Sequence, residues 1–126
     1  RPNNWYINQA KLESVRKVWQ EKTQDRLPPV LVTEIDESLS LIDGHARTYG
    51  AYEMGETHIR AVYSDLDKIG GSTALYKHIH REGQKLGIET IADLKNRIVR
   101  PEDHERLWVG YCSQWLEENA KVSNEN

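Results

Sequence analysis

Asp43, Gly44, His45, Ala46 and Arg47 put a carboxylate, an imidazole and a guanidinium beside a glycine, within about one helical turn. Such a set could bind an anion and act on it. An apolar, strand-like pair, Leu41-Ile42, empties directly into these residues, and a helical pattern follows them. A helix N-terminus carries unbonded backbone N–H groups and a partial positive charge, so it stabilises a phosphate, and Gly44 would let that phosphate approach the backbone. Each residue also has a plainer role to weigh. Asp43 suits a helix N-cap, His45 a packing histidine, and Arg47 a cover for tyrosine rings or a partner for Glu53.

The elements that must position this set can be read on either side of it. Trp5-Tyr6-Ile7 reads as a short strand, and Asn8 as the cap of a helix from about Gln9 to Lys22 with Leu12, Val15, Val18 and Trp19 on one face. Leu27-Pro28-Pro29 stops that helix and starts an extended segment. Val30 to Ile35 and Ser38 to Ile42 then form a hairpin across Asp36-Glu37, without a glycine. A helix from Gly44 to Met54 ends at Gly55, and Thr57 to Tyr63 is a third strand with Ile59, Ala61 and Tyr63 on one face.

Helical patterns dominate beyond Asp65. After a Gly70-Gly71-Ser72 loop, Thr73 to Leu86 is a helix ended by Gly87, with Leu75, Ile79 and Leu86 in its stripe. Thr90 and Asp93 form a capping pair for a short helix reaching Leu94 and Ile98, and Pro101 opens a last helix. That helix carries a core stripe of Leu107, Trp108, Tyr111, Cys112, Trp115 and Leu116, and the tail after Lys121 is polar enough to fray. His78 and His80 are two apart and point in different directions, which argues against a shared metal. The expected architecture is a single α/β (mixed α+β) domain with a small mixed sheet. Within it, 1–67 forms the core and 68–126 a helical extension packed on it.

Composition narrows the function classes. At 126 residues, 37% hydrophobic and 29% charged, the chain fits one modest core. No run approaches the roughly 20 apolar residues of a membrane span, and Arg1-Pro2-Asn3-Asn4 does not open a signal peptide, so a cytoplasmic protein without membrane contact is expected. Cys112 is the sole cysteine, so no internal disulfide forms. A net charge of −3 gives no broad attraction for nucleic acid. Thr73 to Leu94 has a helix, glycine turn, helix outline that a DNA-partition adaptor would use. Thr73 to Glu118, however, holds seven Lys/Arg against eight Asp/Glu, a poor phosphate tracker.

From Leu27 to about Asp67, the succession Pro28-Pro29-Val30-Leu31-Val32, Leu41 to Arg47, Ala51-Tyr52-Glu53-Met54-Gly55 and Ile59-Arg60-Ala61-Val62 resembles the ParB/sulfiredoxin-like superfamily. Sulfiredoxins carry Gly-Cys-His-Arg and the chromosome-partition proteins Gly-Glu-Arg-Arg. Here Gly44 is followed by His45, and the segment is most similar to the Asp-Gly-His-Thr-Arg motif of the ADP-dependent free serine kinases. Asp43, Gly44, His45 and Arg47 match it, and Ala46 replaces the Thr.

The resemblance implies that Gly44, His45, Ala46 and Arg47 hold the phosphates of ADP or ATP. Asp43 and His45 would be catalytic, with Asp43 near Mg²⁺ or the acceptor hydroxyl. Phosphoryl transfer depends mainly on positioning and charge stabilisation, which these residue types supply. Those kinases also place a Glu just before the first helix, whereas Arg1 to Gln9 contains no carboxylate. Two expectations follow for a nucleotide-binding ParB-like protein: a phosphotransferase acting on a small hydroxyl metabolite such as free serine, or a nucleotide-responsive binding module without turnover.

Overall fold

Asn8 accepts a hydrogen bond from the Ala10 N–H at 2.9 Å and so starts α1 (Gln9–Gln20), directly after the two-residue strand β1 (Ile7–Asn8). Leu12 and Val15 are its buried residues, and the helix stops at Gln20, two residues short of the expected end, where Lys22, at φ 57°, turns the chain away. The Pro28-Pro29 segment leads into β2 (Val30–Ile35), which pairs antiparallel with β3 (Ser38–Asp43). Asp36 and Glu37 both take left-handed backbone angles, φ 48° and 65°, which suit the twist of a tight hairpin. The coordinates are a computed structural model that describes the backbone of residues 1–125 and the side chains of 1–120. The tail expected to fray after Lys121 lies outside the fully described residues.

Helix α2 (His45–Glu53) follows β3 at once, and β4 (Ala61–Tyr63) then pairs parallel with β2. The resulting sheet, ordered β3-β2-β4, is mixed, as expected. The third strand is shorter than Thr57 to Tyr63, because only Ala61 to Tyr63 lie opposite β2. Its residues are all exposed rather than alternating.

Ser72 caps α3 (Thr73–Lys85) by accepting from the Leu75 N–H at 3.1 Å. The Thr90–Asp93 capping pair forms, but it opens a 3₁₀ run, Ile91–Arg97, instead of an α-helix. Ile98 belongs to β5 (Ile98–Val99), which pairs parallel with β1 in a second, two-stranded sheet. The expected last helix is divided into α4 (Pro101–His104), a π-helical turn (Glu105–Val109) and α5 (Gly110–Glu125).

One buried cluster joins all of this: Trp5, Ile7, Leu12, Tyr49, Ile79, Ile88, Leu94 and Trp108. Trp5 stands at its centre, 5.2 Å from the Trp108 ring and 4.9 Å from Tyr111, with its Nε1–H donated to the Ile79 carbonyl at 3.1 Å. Burying these side chains supplies the main favourable term in folding, and it draws on residues before 67 and after 68 alike. Only Trp108 of the C-terminal stripe is buried; Trp115 stacks instead on His78, 4.7 Å away. The resulting architecture is mixed α+β. Among the described residues no helix is long and apolar enough to cross a membrane.

Candidate functional site

Gly44 occupies the N-cap position of α2 with φ +100°, and no side chain caps the helix. The expectation of Asp43 as the cap is therefore corrected. Asp43 is the last residue of β3, and its Oδ2 lies 3.1 Å from the Arg47 guanidinium one turn along. The glycine at 44 also has a packing reason. A Cβ there would lie 2.4 Å from Val30 Cγ1, so the glycine makes room for the buried Val30 side chain at the start of β2. The backbone N–H groups of the first turn remain without a side-chain partner, as an anion site requires.

His45 is only 6% exposed, and its Nε2 accepts the Asn4 backbone N–H at 3.0 Å. Burial pulls its pKa from 6.5 to about 3, although a hydrogen bond to the Leu41 carbonyl works the other way. The ring is neutral at neutral pH, and its acceptor nitrogen is already used. A ring held in this way ties the N-terminal segment to α2, and its acceptor nitrogen is not free to take a proton from a ligand. Its backbone N–H still belongs to the uncapped first turn.

Arg47 is held as firmly. Its NH1 donates to the Pro28 and Pro29 carbonyls at 2.8 and 3.0 Å, and its NH2 meets Asp43. The guanidinium thus clamps the proline segment onto α2. Glu53, the partner foreseen for it, pairs instead with Arg16.

The tether through Asn4 has a spatial consequence. It brings the beginning of α1 against the beginning of α2, and between them opens a cleft of about 400 Å³. Asp43, Gly44, His45, Ala46 and Arg47 all line it, so the five residues picked out by their spacing share one wall. Facing them are Asn4, Asn8, Lys11, Ser14 and His104. Lys11 and Ser14 lie three apart just after the Asn8 cap, a helical spacing that could have marked them beforehand. Nothing local marks His104, which arrives from α4. Its pKa is lowered chiefly by burial and next by the nearby Lys11 charge.

Neither a family model, nor a curated protein, nor a solved structure matches the chain.

Charge and shape together define what the cleft can do. Lys11 and Arg47 are its fixed cations and Asp43 its single carboxylate, within a chain of net charge −3. Asp43 and Arg47 largely offset each other, which leaves Lys11 and the α2 N–H groups to attract an anion. Among the described residues no three His, Cys, Asp or Glu side chains converge to hold a metal. A Mg²⁺ ion here would therefore depend on Asp43 and on oxygens brought by the ligand. The exposed Asp43 carboxylate, with Oδ2 toward Arg47, suits that arrangement.

Proposed function

We propose that the chain binds a nucleoside diphosphate or triphosphate, ADP or ATP, with its phosphates at the N-terminus of α2. One observation carries this reading: an uncapped helix start and Lys11 share a single cleft of about 400 Å³. That size suits a small-molecule ligand, and the Lys11 cation and free N–H groups suit a polyphosphate. The likeness of Asp43 to Arg47 to the free serine kinase motif of the ParB/sulfiredoxin-like superfamily points the same way.

Binding without turnover is the form best supported, because the His45 ring is engaged by backbone and Arg1 to Gln9 offer no carboxylate. Phosphoryl transfer to a small hydroxyl metabolite such as free serine is a second reading, favoured by Asp43 alone. As the cleft's only carboxylate, Asp43 would hold Mg²⁺ or orient the acceptor hydroxyl. Mg²⁺, when bound, would neutralise phosphate charge. Nucleic acid is disfavoured as a partner, since the second part of the Thr73 to Leu94 outline is a 3₁₀ run and the region lacks excess positive charge.

Titration calorimetry with ADP, ATP and inorganic diphosphate in the presence of Mg²⁺ tests the proposal. Saturable binding is expected, weakened about tenfold in Lys11→Ala, the loss of one charge-assisted contact. Absence of binding by all three at millimolar concentration would overturn it. Formation of phosphoserine from free serine, lost in Asp43→Asn, would decide for the second reading.

A further inference from the structure

His104 joins the wall of the 400 Å³ cleft from the end of α4, where the π-helical turn Glu105–Val109 begins. Such turns recur at functional sites. Its ring lies among the charged groups of that cleft: it feels the Lys11 ammonium of α1, and the buried His45 ring of α2 feels it in turn. Among the described residues, neither the His104 ring nor the Lys11 ammonium makes a hydrogen bond or an ion pair. The carboxylates that could pair with them are engaged elsewhere. Asp103 is held by Arg100 and Arg106, and Asp43, across the cleft, by Arg47. Tyr6, beside β1, has the Arg97 guanidinium 5.3 Å over its ring. Only Glu105, next in the chain, favours a charged His104; burial and Lys11 outweigh it, so the pKa lies below 6.5 and the ring is mostly neutral at pH 7.

An anion changes this balance. A phosphate dianion between Lys11 and the first turn of α2 offsets the repulsion from Lys11 and adds an attraction of its own, and both favour the imidazolium. His45 does not respond in the same way, because its ring is already bonded to the Asn4 N–H and the Leu41 carbonyl. We propose that His104 is a phosphate-binding residue, the second cation available to the ligand beside Lys11, which takes up a proton from solvent as a polyphosphate enters and donates from the charged ring to a phosphate oxygen. The proposal rests on the phosphate reading above and adds to it a binding residue and a dependence on pH. By linkage, affinity rises as the pH falls through the interval between the ring's free and bound pKa, by at most about tenfold per pH unit.

The test is an NMR titration of the full chain between pH 5 and 8, without ligand and with saturating inorganic diphosphate and Mg²⁺, following the His104 imidazole assigned through its backbone resonances. Its pKa should rise by about one pH unit or more on binding, the effect of an opposite charge a few ångströms away. Calorimetry of diphosphate in buffers of different ionisation enthalpy should show proton uptake near pH 7 that is reduced in His104→Gln. From pH 8 to pH 6 the affinity should increase about five- to tenfold more in wild type than in that variant, the ligand's own titration being common to both. The imidazole titration is read on wild type, so it decides even where the variant is poorly folded. If diphosphate binds while the His104 ring keeps its free pKa, or while a folded His104→Gln takes up as many protons as wild type, the role of His104 is overturned and the phosphate site stands. If diphosphate does not bind, both fall.

Discussion

Acidification from pH 7 to pH 5 is expected to remove about 2 kcal/mol of stability through His45 alone. Its folded pKa of about 3 lies below the ordinary 6.5 that the unfolded chain would show. The unfolded state therefore binds a proton that the folded state refuses, and stability is full above pH 6.5 and falls as the pH drops from there toward 3. Each pH unit inside that window costs about 1.4 kcal/mol, and with the partial titration near 6.5 the sum from 7 to 5 comes to about 2. His80 and His104 are shifted in the same direction, so the whole-protein loss should be larger. The carboxylates of Asp36, Glu53 and Asp93, all held below their usual range, add their own loss only further down, as they become protonated. Urea unfolding at pH 7, 6 and 5 on wild type and on His45→Gln isolates the share of this residue as the difference between the two slopes. Parallel slopes, or an imidazole resonance of His45 that titrates near 6.5 in the folded protein, would refute the account of a neutral, backbone-bound ring.

Three further outcomes follow from the packing. Gly44→Ala should destabilise by about 2–5 kcal/mol, from overlap with Val30 and a left-handed backbone together; a change under about 0.5 kcal/mol in denaturant unfolding would contradict the packing role. Trp5→Phe should cost about 1–3 kcal/mol by leaving the buried Ile79 carbonyl without its donor, measurable as a lower urea midpoint at constant m-value. Burial lifts the Cys112 thiol to about 11, so alkylation at pH 8 should be slow in the native protein and fast in urea, and equal rates would argue against the burial.

Much of this architecture is written in short-range signals. The Asn8 cap, the Pro28-Pro29 break, the Thr90–Asp93 pair and the β-rich run from Val30 to Ile35 each depend on residues a few positions apart, and each marks a feature that forms. The convergence of Asp43 to Arg47 on one wall is equally local, being the junction of a strand and a helix. Charge balance belongs to the same category, since counting residues needs no coordinates.

Tertiary structure decided the rest, because pairing and desolvation are properties of neighbours that the chain brings from far away. Strand β5 exists only because β1, about ninety positions earlier, offers it partners, so Ile98 reads as helical until the two are juxtaposed. The strand from Thr57 shrinks to the three residues that β2 can pair. His45 carries the same letters whether it is a base or a tether. The Asn4 N–H and the surrounding burial make it a tether, just as Val30 supplies the reason for Gly44 and the folded chain brings Lys11 and His104 to the same cleft.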